Sequence, residues 1–250
     1  MKKIFPAALT STILLISLAS CKKEIMYVGQ HYNDLSPYHI TSYSFTPVYQ
    51  TSTDTLTFSY DWWGNPVKLT RQQSAVNPLD FEFRYDRSHR LTDYIAVYAD
   101  GISTLFWHRY IYNPKGLITI DSVYWFSNIV NGQPTNPYTS WPIQLSYDSL
   151  QRVSREVNRN GYDDTSYFVY DAAGNLNGQG TYDDKVSFRR TNWVWMFLDR
   201  NYSINNPFTA TSYNAGLLPL QVTLPAEGLN ANAFLYSSFH QATFTYALDR

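Results

Sequence analysis

In Phe81-Glu82-Phe83-Arg84-Tyr85-Asp86-Arg87-Ser88-His89-Arg90-Leu91, apolar and charged side chains alternate as far as Tyr85, break over a short polar stretch, and resume at Leu91. Phe81, Phe83 and Tyr85 share one face of an extended strand and Glu82 and Arg84 the other, the pattern of a half-buried strand. Asp86 follows as a residue whose side chain accepts a hydrogen bond from the backbone two positions on, which closes a turn. The stretch therefore reads as a β-hairpin. The same grammar returns in Leu56–Val67, where Leu56, Phe58 and Tyr60 alternate with Thr57 and Ser59 before Asp61, and in Tyr110–Ile118 around Tyr112-Asn113. It returns again in Ile143–Val153 with Tyr147-Asp148, in Tyr167–Leu176 with Tyr170-Asp171, and in what reads as a shortened Tyr213-Asn214-Ala215-Gly216-Leu217. Successive corners lie 25, 27, 35, 23 and 43 residues apart, so the insertions differ while the hairpin recurs. An isolated hairpin is marginal in water, so the units are expected to pair side by side.

The composition agrees with strands. Tyr, Phe and Trp make up 17% of the 250 residues and charged residues only 16%, and aromatic and β-branched side chains suit a pleated surface. The expected fold is all-β: an antiparallel meander of repeated β-hairpins, strongly curved or closing into a barrel-like, porin-like sheet. A first strand is expected near His39–Tyr49, with closing strands near Val222, Phe234–Phe239 and Ala242–Tyr246. Asn192–Arg200 is apolar without strict alternation and reads as one short helix or plug packed on the sheet.

The amino terminus has a different character. Met1-Lys2-Lys3, an apolar run from Ile4 to Ala19, and Leu18-Ala19-Ser20-Cys21 together resemble a bacterial lipoprotein signal. The run is too short to span a bilayer comfortably. The resemblance implies that residues 1–20 are removed and Cys21 is acylated. Residues 21–38 then form the lipidated N-terminus and tether, and residues 39–250 a single β domain. The competing reading is an ordinary secretory signal. Cys21 is the only cysteine, so it has no intramolecular disulfide partner. Lys22 in place of Asp after the cysteine agrees, by analogy with Gram-negative sorting, with outer-membrane delivery, with either membrane face open. The implied partner is the membrane, through the lipid on Cys21. Without Lys2 and Lys3, 17 basic residues face 20 acidic ones, a balance that excludes a nucleic-acid partner.

The Tyr-Asp corners resemble the YD-repeat (Rhs-like) family, whose unit is roughly Tyr-Asp-x-x-Gly-Arg-Leu. The chain is more closely similar to small YD-repeat lipoproteins of Bacteroidota. The likeness covers about residues 50–220, with His89 and Leu150-Gln151 standing where the repeat has Gly and one turn residue missing from the sixth unit. It implies a porin-like or curved-meander fold. The family's cargo-enclosing shells need dozens of units, and six cannot build one.

No side-chain pattern announces catalysis. The histidines at 31, 39, 89, 108 and 240 lack metal-ligand spacing, and neither a Gly-x-Ser-x-Gly elbow nor a phosphate loop is present, so no metal or cofactor is expected. Asp163-Asp164 and Asp183-Asp184 each follow a Tyr. They read either as solvated turn residues or as oxygen ligands for calcium, or as an acid and base for sugar hydrolysis. Trp62 and Trp63 lie in a turn, while Trp125 and Trp141 flank the longest insertion, Ser127–Ser140. These four are candidate ligand platforms, against the alternative that they pack loops onto the sheet. Asp54-Thr55-Leu56, Asp121-Ser122-Val123 and Asp148-Ser149-Leu150 resemble the Bacteroidota O-glycosylation sequon, which makes Thr55, Ser122 and Ser149 candidate acceptors. The expected function is a non-enzymatic envelope lipoprotein that binds or scaffolds a glycan, a peptide or an envelope protein. The alternative is a hydrolase of envelope or dietary polysaccharide using turn carboxylates.

Overall fold

A computed structural model describes residues 35–47, 52–72, 79–224, 233–235 and 237–248. Cys21, the signal segment and the tether up to residue 34 lie outside the described residues. The strands are β1 (Tyr38–Pro47), β2 (Asp54–Tyr60), β3 (Pro66–Gln72), β4 (Leu79–Tyr85), β5 (Leu91–Tyr98), β6 (Thr104–Tyr112), β7 (Ile118–Trp125) and the short pair β8 (Asn128–Val130) and β9 (Gln133–Thr135). They continue as β10 (Thr139–Tyr147), β11 (Val153–Asn158), β12 (Asp164–Tyr167), β13 (Ser212–Tyr213), β14 (Pro219–Thr223), β15 (Ala233–Phe234) and β16 (Ser237–Leu248). Fourteen of these form one antiparallel sheet in the order β12-β11-β10-β7-β6-β5-β4-β3-β2-β1-β16-β14-β13, with β15 beside β16. The end strands β12 and β13 do not pair with each other, so the meander stays open rather than closing as a barrel. The last strand, β16, slots in beside the first, with Tyr38 opposite Leu248.

The inner face is apolar. Tyr43, Phe45, Leu56, Phe58, Phe81, Phe83, Tyr94, Phe106, Tyr110 and Phe244 lie in one buried cluster. The expected helix is α1 (Trp193–Leu198), preceded by a 3-10 turn at Phe188–Thr191 and capped by Asn192, whose Oδ1 accepts from the Val194 N–H at 3.0 Å. Five of its six residues are buried, because it packs inside the sheet. Trp195 meets Phe58 and Phe83 edge-on at 5.4 and 5.7 Å, Phe197 meets Tyr110 at 5.2 Å, and Phe188 meets Phe244 at 4.8 Å. Arg200 reaches Glu156 on β11 at 2.9 Å. One segment thus touches both β16 and β11, which are nine strand steps apart. On a flat sheet that is about 43 Å, whereas thirteen residues of helix span about 20 Å. The sheet must curl around the plug.

The outer face is polar where nothing covers it. Ser44 and Thr55 share a hydroxyl bond of 2.8 Å, and Thr41 and Thr245 one of 2.9 Å. This polarity runs opposite to that of a membrane-spanning barrel, whose lipid-facing band is apolar and whose lumen is polar. No helix among the described residues is long and apolar enough to cross a membrane.

The corners explain how the hairpins join. In all six, the Asp or Asn N–H donates to the carbonyl four residues on, and the N–H three residues on returns to its own carbonyl. At Asp61, Asp86, Asn113, Asp148 and Asn214 the side-chain Oδ1 accepts from the N–H groups two and four residues on, at 2.7–3.1 Å. Asp171 accepts from Asn175 at 2.8 Å. The position three residues on is left-handed throughout, whether it holds Gly64, His89, Gly116, Gln151, Gly174 or Leu217. The sixth corner is therefore full length. Leu217, not Gly216, takes the left-handed place, and Gly216 is needed because a Cβ there would lie 2.5 Å from the Tyr38 ring.

The second, third and fourth corners also tie to the one before. The Tyr85, Tyr112 and Tyr147 hydroxyls donate to the carbonyls of Pro66, Leu91 and Ile118 at 2.8, 2.8 and 2.6 Å, and each acceptor stands five residues past the preceding corner's Asp or Asn. Tyr60 donates likewise to Ile40, and Tyr246 to Pro219, both at 2.8 Å. Burial pushes the Tyr147 and Tyr246 hydroxyls well above the usual range, so both remain donors.

The fifth unit departs from the expected hairpin. Tyr170 and Leu176 form only an isolated bridge, and the Tyr170 hydroxyl donates to Arg200 at 3.3 Å instead of to a preceding corner. After Leu176 the chain has no alternating run to form a strand, and it turns inward to become the plug. The expected tether also ends sooner than residue 38. Leu35 packs on the core and the Ser36 N–H donates to Arg190 at 2.9 Å.

Replacing Tyr85, Tyr112 or Tyr147 with Phe should each cost about 1 kcal/mol, because a carbonyl at a strand start loses its donor; urea unfolding measures this. Asp86 carries a pH signature. Partial burial pulls its pKa up, but the Arg90 and Ser88 N–H groups and the Arg90 guanidinium outweigh burial and hold it below the usual carboxylate range. Its stabilising effect is then full above about pH 4 and lost as the pH falls through the folded-state value. Asp86→Asn, which keeps an acceptor as Asn113 and Asn214 do, should lower stability modestly at pH 7 and flatten the acid limb of the stability profile.

Candidate functional site

Strands of like direction end together, so the topology sorts every connection onto one of two rims. All six corners share one rim. The opposite rim carries the longer connections, including the insertion after β7. Trp62 and Trp63 sit on the corner rim, where Trp62 is 87% exposed and Trp63 lies 4.5 Å from the His89 ring. Trp125 and Trp141 sit at the far rim, 6.4 Å apart between ring centres. A strand the length of β6, nine residues, is about 30 Å long, so the four tryptophans do not form one site.

The far rim gathers more than its two tryptophans. Phe126 stacks edge-on against Trp125 at 5.4 Å, and the Tyr138 N–H donates to the Trp125 and Phe126 carbonyls at 2.9 and 3.2 Å. Tyr138 is 83% exposed and Phe126 48%. Phe126 has φ 48°, a left-handed backbone that bulky residues avoid. Trp141 is partly buried, and its indole N–H has no hydrogen-bond partner among the described residues. The result is a half-exposed cluster of three aromatic rings, Trp125, Phe126 and Trp141, with the exposed Tyr138 tied beside it through its backbone.

The insertion that carries this cluster is braced from below. Its hairpin, β8–β9, lies on the outer face of the sheet, where Ile129 packs with Tyr124 on buried Ile95, Val97 and Trp107. The Trp107 indole donates to Asp93 at 2.6 Å, and Arg84 and Arg109 lie over its ring at 4.6 and 5.4 Å. Arg84 donates on to the Gly132 carbonyl at 2.7 Å and Arg109 to Gln133 at 2.8 Å. At the root of the insertion, the Thr104 and Ser127 hydroxyls bond at 2.8 Å. The loop between Phe126 and Tyr138 is thereby fixed to the sheet, while Trp125 and Trp141 are held by their own strands.

The polar groups singled out in the sequence go elsewhere. Asp183 accepts from the Asn206 N–H at 3.0 Å and from the Tyr213 hydroxyl at 2.9 Å, so it clasps the end of the plug. Burial, with Asp183 beside it, pushes the Tyr213 hydroxyl up to about 12. Asp184 pairs with Lys185 at 2.8 Å, and Asp163 with Arg159 at 3.8 Å. Among the described residues no three His, Cys, Asp or Glu side chains group as a metal site. Thr55 bonds Ser44, and Ser122 stands mid-strand between Arg109 and Pro142. Ser149 alone of the three glycosylation candidates is exposed, at a corner tip.

One cluster had no forerunner in the sequence reading. His108 on β6 holds both carboxylate oxygens of buried Asp121 on β7 through Nδ1, at 2.8 and 2.9 Å. Arg200 reaches the same carboxylate at 3.3 Å, Glu156 at 2.9 Å, and the Phe197 carbonyl. A buried His-Asp pair resembles half of a catalytic triad, yet here the carboxylate is shared with Arg200 and the group locks the plug to the sheet.

Fold and rims together define a curved, open antiparallel meander around an aromatic plug, with a braced aromatic cluster at one end. No family model and no curated protein matches the chain. Among solved structures it is similar to a porin-like protein from Bacteroides uniformis ATCC 8492, at 12% identity and a TM-score of 0.34 over 86% of this chain and 98% of that one.

Phe126 gives a direct check on what the far rim is for. A left-handed non-glycine residue costs about 1–3 kcal/mol, so Phe126→Gly should change stability by less than about 1 kcal/mol, the relief offsetting the lost ring contact. Trp107→Ala beneath the brace should cost about 3–5 kcal/mol. Calorimetric melting separates the two, and a large loss in Phe126→Gly would make its ring a packing element.

Proposed function

We propose that this chain is a non-enzymatic lipoprotein of the YD-repeat type, held to the outer membrane through Cys21, that binds glycan chains at its far rim without a cofactor. The observation that carries the reading is the ring cluster of Trp125 on β7, Trp141 on β10 and Phe126, with exposed Tyr138 beside it, at the root of an insertion braced by Arg84 and Arg109. Sugar rings stack their C–H faces on aromatic planes, and a pre-fixed platform binds without an ordering cost. A strained Phe126 is also what a site retains when the ring serves a ligand.

A non-enzymatic role is supported by where the carboxylates go. Asp61, Asp86, Asp148 and Asp171 close corners, Asp183 and Asp199 hold the plug, Asp93 pairs with half-buried Arg109, and Asp121 anchors buried His108. Glycoside hydrolysis needs two carboxyls facing one cleft about 5–10 Å apart.

Glycan-array and calorimetric binding test the reading. Tyr138→Ala, which removes an exposed ring, should weaken glycan binding at least about tenfold while melting is unchanged. An extended peptide bound at the same rim in place of sugar would reassign the ligand. Release of reducing ends from polysaccharide, abolished by substituting Asp163 and Asp164, would favour the hydrolase.

A further inference from the structure

The chain enters the domain on the corner rim. Strand β1 begins there at Tyr38, between β16 and β2, with the Tyr38 ring against Gly216 of the last corner and His39 against Tyr60 of the first at 4.8 Å. The two corners that flank this entry end in exposed apolar side chains, Leu217 on one side and Trp62-Trp63 on the other, and Leu150 extends the row further along the rim. Exposed Arg87 and Lys115 occupy the corners between Trp63 and Leu150.

The chain outside the described residues fixes how far this rim stands from a lipid on Cys21. Thirteen residues lie between Cys21 and Leu35, and even a fully extended chain of that length spans no more than about 50 Å. The rim where the chain enters is the end of the domain that a lipid on Cys21 would be joined to. Trp beside Lys and Arg is the composition that settles at the headgroup level of a membrane. Arg87, Pro114, Ser149, Ala172 and Ala215 hold the equivalent place in the other five corners.

We propose that the corner rim is a membrane-contacting surface: Trp62, Trp63, Leu150 and Leu217 enter the headgroup region while Arg87 and Lys115 meet lipid phosphates, and the aromatic far rim is held away from the lipid. The inference rests on the anchorage at Cys21 proposed above. It makes the tether and the rim two contacts of one attachment, which fixes the tilt of the domain where a tether alone would leave it free.

The test uses the full lipidated chain in vesicles of phosphatidylethanolamine and phosphatidylglycerol whose acyl chains are brominated near the headgroup, with tryptophan fluorescence as readout. Quenching that W62F/W63F removes and that W125F, at the far rim, retains supports the proposal. Absence of quenching, or quenching that survives in W62F/W63F, overturns it, and so does a glycan found on Ser149, which would hold that corner off the lipid. Intact mass on the same sample reports acylation of Cys21 independently, so a failed anchor and a failed rim contact give different results.

Discussion

An open sheet with one apolar face has to cover that face with something, and here the chain covers it with its own middle. Thirteen residues between Phe188 and Arg200 bring two tryptophans, two phenylalanines, a methionine and two buried arginines against strands as far apart as β16 and β11. The reach of the plug sets the curvature. Right-handed twist bends any meander, but the need for Trp195, Phe197 and Arg200 to be enclosed together decides how tightly. Closure into a barrel would remove the edges, yet the interior is already full and the two edge strands are short, four residues in β12 and two in β13.

The corners turn this demand into a repeating device. Four bonds inside a five-residue turn, three at Asp171, leave it one conformation, so each hairpin leaves its corner in the same direction. The tyrosine before the turn then reaches the strand start left by the preceding corner, making lateral order between hairpins as specific as order within them. Arg90 over the Tyr112 ring at 4.7 Å and Arg152 over Tyr170 at 3.9 Å add a second link at the same level. The device stops at Tyr170, where the carbonyl it bonds belongs to Arg200 of the plug. The plug interrupts the repeat, which resumes after it at Asn214, where Tyr246 reaches Pro219.

What could be read in the sequence was what is encoded locally. Alternation and Asx turns need only neighbouring residues, so the hairpins from β2 to β7 and from β10 to β11 were legible, and the short helix within Asn192–Arg200 was legible as an apolar run without alternation. His89 and Gln151 looked like departures because Gly is the usual left-handed residue; the surrounding hydrogen bonds hold them there regardless. Tyr246 was not legible as a link, since Ala247 follows it in place of Asp and its partner carbonyl lies 27 residues earlier. Nor was the His108, Asp121 and Arg200 cluster, in which Arg200 is 79 residues from the carboxylate it pairs with. The tryptophans were recognised as unusual, but sequence adjacency says nothing about which end of a sheet a turn occupies. Parity of strand direction splits Trp62 from Trp125.

That split follows from how the two rims are made. A corner whose length is set by its own hydrogen bonds cannot take an insertion without losing both the turn and the tyrosine link, so variation in length is pushed to the other end, where loops close no such ring. The 35-residue interval between Tyr112 and Tyr147 places its extra residues after β7 and not beside Asn113 or Asp148. New side chains can then accumulate at the far rim and be braced onto the outer face, as Ile129 and Gln133 are, without disturbing the core. The corner rim, fixed in backbone, can differ only in which side chains its tips present, and there the chain places Trp62, Trp63, Leu150 and Leu217 around the point where it enters.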